Sequence, residues 1–149
     1  MRTSAATAAC FVAALAVAAA APHARADEPP HFRQGLWEFD RTATGGQKMH
    51  KTQCTNPSED MKRQNEMIEK GGGCKISPMQ HSGNTYTFSA DCNMTSPQGA
   101  SVSFHSTSVM TVESDSAYKI DVTTSGAQPG PVGKEQLTAR RIGDCNATK

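Results

Sequence analysis

The sequence predicts a mainly β domain: an antiparallel meander of seven strands with one surface helix, either an open curved sheet or a closed barrel. Three observations predict it. Segments that alternate apolar and polar residues recur along the chain, separated by short turns rich in Gly, Asn and Ser. Only one segment, from Asn56-Pro57-Ser58-Glu59 to Gly71-Gly72-Gly73, carries helix start and stop signals. Four cysteines, Cys54, Cys74, Cys92 and Cys145, follow an export-type leader, which suits a small domain stapled by disulfides.

The leader is predicted over residues 1–26. Arg2 gives it a positive start, Phe11 to Ala21 form an apolar run, and Ala24-Arg25-Ala26 has the small-x-small form of a cleavage site. That run is shorter than the roughly 20 residues a bilayer span needs, so no membrane span is expected. Cleavage would leave residues 27–149 as a single domain. Without Arg2 and Arg25 the 15 Lys and Arg fall to 13, against 14 Asp and Glu. So balanced a chain, whose only dense basic cluster is Arg140-Arg141, argues against a nucleic-acid partner.

Residues 27 to 33 read as a loose lead, since Pro29-Pro30 cannot donate to a ladder. In Gly35 to Thr42, Trp37 and Phe39 share one face and Glu38 and Asp40 the other. A turn at Thr44 to Gln47 returns the chain as Lys48 to Thr55. In the helix that follows, Met61, Met67 and Ile68 make a thin apolar stripe among charged residues, so it lies on the surface.

Cys74 to Cys92 reads as a hairpin. A three-residue loop, Ser82-Gly83-Asn84, with Asn84 left-handed, places Cys74 opposite Cys92 and Ile76 opposite Ala90. A two-residue Gly83-Asn84 loop would instead oppose Cys74 to Asn93 and turn the second cysteine to the other face. The three-residue loop is therefore expected, with a Cys74–Cys92 disulfide. Cys54 and Cys145 are then left to each other.

A turn containing Pro97 and Gly99 leads into two long strands. Counting outward from Asp115 pairs Val112 with Tyr118 and Met110 with Ile120, so two apolar sets meet on one face. Ser125 to Gly133 is a loop. Lys134 to Ile142 is the last strand.

No set of residues reads as catalytic. His105 has the parity of a solvent-facing strand residue, and no serine stands in a glycine-flanked elbow. Met49-His50, Met79, His81 and Met94 are ligand types that suit Cu(I), but they fall on separate segments without a repeated motif, so neither metal nor cofactor is expected.

Gly35-Leu36-Trp37 resembles the first strand of lipocalin-like barrels, in which an arginine of the last strand covers the tryptophan, a part open to Arg140 or Arg141. A broader resemblance spans the chain. Gly35-Leu36-Trp37-Glu38, Cys54 before a capped helix, Cys74-Lys75, Ser82-Gly83-Asn84, Cys92 and the closing Arg141-Ile142-Gly143-Asp144-Cys145 together resemble the exported bacterial family catalogued as domain of unknown function 3617. The resemblance implies a secreted, largely β protein with paired cysteines and no assigned activity. Many members carry methionine and proline repeats in the first hairpin, which this chain lacks.

The functional expectation is a non-enzymatic periplasmic binding or interaction domain, holding a small apolar ligand or a partner segment on the concave side of the sheet. Trp37, Phe39, Tyr86, Phe88, Phe104 and Tyr118 are the candidate ligand-lining residues, all able to project to that side. The alternative is a structural or stress-related envelope protein with no small-molecule ligand.

Overall fold

The computed structural model describes residues 28–71, 73–95, 99–126 and 133–145. The expected leader and cleavage site, most of the Pro97 turn and most of the Ser125 to Gly133 loop lie outside them. Eight strands and one helix follow in the order β1 (Gly35–Thr42), β2 (Lys48–Thr55), α1 (Pro57–Lys70), β3 (Cys74–Ile76), β4 (Gln80–Ser82), β5 (Thr85–Thr95), β6 (Ser101–Ser114), β7 (Ala117–Gly126) and β8 (Gly133–Gly143). All pairings are antiparallel.

The strands form one open sheet in the order β2-β1-β8-β7-β6-β5-β3, with β4 also on β5, so of the two expected forms the sheet takes the open one and not the barrel. The antiparallel meander is as expected, with its last strand set beside its first. β8 inserts between β7 and β1, so the end of the chain joins the sheet to its beginning.

The count is eight and not seven because the first arm of the central hairpin is broken. The tip is the two-residue loop: Ser82 pairs with Thr85, Gly83 alone takes a positive φ of 62°, and Asn84 is not left-handed. That register would carry Cys74 to Asn93. A bulge intervenes, in which Pro78 and Met79 stand against Phe88 alone, and beyond it Ile76 pairs with Ala90 and Cys74 with Cys92. Proline, which has no N–H to give a ladder, is at home there. Ser77 secures the step: its N–H donates to the Ser89 carbonyl (2.8 Å) and its hydroxyl accepts from the Ser89 N–H (2.8 Å).

The β6–β7 hairpin uses the same device. Ser114 pairs with Ala117 across a two-residue turn, a register shift at Glu113 absorbs one residue, and Val112 meets Tyr118 and Met110 meets Ile120 as predicted. Both expected disulfides form, Cys74–Cys92 and Cys54–Cys145.

Pairing across each ladder gives the sheet one continuous inner face. Trp37, Ala139, Tyr118 and Met110 form its fully buried core together with Phe32. Phe32 corrects the expectation of a loose lead. Its ring packs on Tyr118 (centroids 4.6 Å apart) and edge-on to Trp37 (5.9 Å). The chain around it is pinned. The Phe32 N–H donates to the Ser58 hydroxyl (2.8 Å), that hydroxyl donates to the Pro30 carbonyl (3.0 Å), and the Arg33 N–H donates to the Asp115 carbonyl (2.9 Å).

Asn56 caps α1 by accepting from the Ser58 N–H (3.1 Å), and buried Pro57 opens the first turn. Because β2 lies at one edge of the sheet and β3 at the other, α1 must carry the chain between the two edges. Its 14 residues make a rod about 21 Å long.

Candidate functional site between the helix and the sheet

Helical geometry brings Met61, Gln64, Asn65 and Ile68 to one face of α1, since they are spaced at three, four and seven residues. That face looks onto the inner side of the sheet across a partly open cavity of about 380 Å³. Met67, counted in the predicted stripe, falls outside this spacing and is 66% exposed. The opposite wall is contributed by six strands. Ile76, Phe88, Ala90, Ile120, Val122 and Leu137 make it apolar, Met79 projects from the bulge, and Ser106 and Ser108 give it a narrow polar strip.

At the β1–β8 end, Arg41 donates from Nε (2.9 Å) and Nη2 to one carboxylate oxygen of Glu135. Among the described residues these two are the only charged ones that line the cavity. Their side chains are about half and one third exposed, so the pair adds little to folding stability.

All six predicted ligand-lining aromatics lie on the inner face, but they are not gathered at one place. Trp37 and Tyr118 are buried in the core, with ring centroids 5.8 Å apart, and Phe39 stacks on Trp37 at 6.4 Å. Burial, and then the nearby Asp60 charge, push the Tyr118 phenol up to about 12, so it stays protonated. Tyr86 flanks the core and stacks on His81. Phe88 lines the cavity. Phe104 instead lines a larger, open and half-polar cleft of about 1060 Å³ beside the Cys74–Cys92 bridge.

The aliphatic walls and the Arg41–Glu135 pair were not among the predicted site residues. Strand parity places Ile120 on the face of Tyr118, and the helix stripe includes Met61 and Ile68. What sequence could not supply was that helix and strands face one another.

The arginine expected over Trp37 acts otherwise. Arg140 lies on the outer face and donates to Glu38 (2.7 Å). Arg141 shares the inner face with Trp37, but its Nε donates to the Gln34 carbonyl (3.0 Å) and its Nη2 to Asp144. The indole N–H donates to the Arg33 carbonyl (2.9 Å).

On the outer face, His50 Nδ1 lies 2.8 Å from Asp40. This hydrogen bond, aided by the charges of Asp40 and Glu38, holds the His50 pKa above its ordinary value. His105, exposed as expected, pairs with Asp91 at 2.7 Å. The residues weighed for Cu(I) are not brought together, since Met49 and His50 lie on β2 at one edge and His81 on β4 at the other. Among the described residues no cluster of three or more His, Cys, Asp or Glu side chains is arranged to hold a metal, and no helix is long and apolar enough to cross a membrane.

An open antiparallel sheet, spanned by one helix over an apolar cavity and closed by two disulfides, defines a stapled β domain of an oxidising, non-cytoplasmic environment. Residues 32–145 match the family model described as protein of unknown function (DUF3617), and the chain belongs to that family. No curated protein and no solved structure matches it.

Proposed function

We propose that this protein is a non-catalytic binding domain of the bacterial periplasm that holds a small apolar ligand between α1 and the inner face of the sheet. The observation that carries the reading is the partly open, mostly apolar cavity beneath α1. At about 380 Å³ it lies within the range of ligand sites, its walls are mostly aliphatic, and a few polar groups sit at defined places. An apolar space of this size beneath a helix forgoes packing contacts that an occupant would supply, which favours a ligand over a purely structural role.

Native mass spectrometry of the protein isolated from its own compartment tests this. A reproducible bound mass is expected, and Ala90→Phe, which fills the cavity from β5, should abolish it. Repeated recovery of the bare chain would favour the envelope protein without a small-molecule ligand. Catalysis is not part of this reading. A turnover abolished by replacing His50 or His105 in a folded variant would overturn that assignment.

A further inference from the structure

We infer that the ligand is a single-chain amphiphile with a carboxylate head, a free fatty acid, whose head is taken by Arg41 in place of Glu135. This rests on the proposed binding function and adds the class of ligand.

The charge on the inner face carries the inference. Strand register places only four charged side chains there among the described strands: Arg41, Lys51, Arg141 and Glu135, all on β1, β2 and β8. Arg141 is engaged elsewhere, by Gln34 and Asp144. Lys51 lies outside the cavity lining but pairs with Phe39, one diagonal step from Arg41, so the inner face beside the Arg41 end carries two cations and one acid. The helix face contributes no charge to the lining, and the walls beyond Arg41 and Glu135 are mostly apolar. An apolar groove whose β1 end adjoins a surplus of cations on the sheet face complements an anion with an alkyl tail.

The head group is a carboxylate because a carboxylate already occupies the guanidinium. Glu135 accepts from Nε and Nη2 through one oxygen, on a pair open to solvent, so a ligand carboxylate can exchange with it at little cost. Ser106 and Ser108 lie along the chain's path and can hold water or a polar substituent.

Titration calorimetry of the oxidised protein with dodecanoate and with dodecanol, both below their aggregation limits, tests the inference. Dodecanoate is expected to bind about tenfold more tightly than the alcohol. Arg41→Gln should erase the difference and Arg41→Lys should keep part of it. Glu135→Gln should strengthen dodecanoate and leave dodecanol unchanged. Equal affinity of the two probes, both lost in Ala90→Phe, would overturn the head-group assignment and leave the cavity reading standing. Binding of neither probe would overturn both.

Discussion

Cys74 pairs with Cys92 one residue out of step with the turn that joins their strands, which pairs Ser82 with Thr85. The bulge at Pro78 and Met79 takes up the difference. The cysteine register is therefore set by two features together, and the extra residue is the one that bends the strand.

Deleting Pro78 should merge β3 and β4 into one regular arm while keeping Cys74 across from Cys92, because the two-residue turn then counts directly to that pair. Non-reducing peptide mapping of the deletion variant is expected to recover the Cys74–Cys92 peptide. A link from either of these cysteines to Cys54 or Cys145 would show that the bulge is needed for pairing.

The two bridges should differ in worth. Cys54–Cys145 closes a separation of 91 residues and Cys74–Cys92 one of 18. Chain entropy then assigns about 4 to 5 kcal/mol to the first and about 3 kcal/mol to the second, as upper figures. Replacing both Cys54 and Cys145 by serine is expected to lower the melting temperature more than replacing both Cys74 and Cys92, as read by calorimetry.

Gly35 is buried where β1 begins, and a Cβ there would collide with the Arg141 guanidinium and the Gly143 carbonyl. Gly35→Ala should destabilise the fold by about 1 to 3 kcal/mol through overpacking. Denaturant unfolding of the variant measures it. A loss of less than about 0.5 kcal/mol, the usual effect of a surface change, would mean that the end of β8 yields freely.

His50 should titrate above the ordinary histidine value, and Asp40→Asn should bring it back toward that value. The sign follows from the raised folded-state pKa. What the protonated ring contributes is fully present below the unfolded value and is lost as pH rises through the folded one. Proton NMR of the imidazole resonances, with His50→Gln for assignment, follows both steps.

Much of this fold was legible because strand parity is a local property. The pairings of Val112 with Tyr118 and of Met110 with Ile120 could be counted from one turn, and the capped helix announced itself at Asn56-Pro57. The three-residue loop expected from sequence counts directly to Cys92, whereas the protein takes a two-residue turn and reaches the same pair only through the bulge at Pro78 and Met79. The site was harder to read. Aromatic bulk marks Trp37 and Tyr118, which burial draws into the core, whereas the cavity is walled mostly by aliphatic residues from four strands and a helix. Phe32, two residues after Pro30, had no periodicity to reveal that it seals the core beside Tyr118.

The position of β8 has a consequence for the order of assembly. During synthesis, the hairpin of β1 with β2 and the ribbon of β5, β6 and β7 can each form early, but they share no ladder until the last strand arrives between them. Until then β1 and β7 each present an unpaired edge, and the contacts that join them span almost the whole chain, which makes that step slow and exposed to misassociation. Oxidation of Cys54 with Cys145 can only follow it. The bridge thus acts as a latch that closes after the final strand has docked, fixing a sheet whose two halves were made first and joined last.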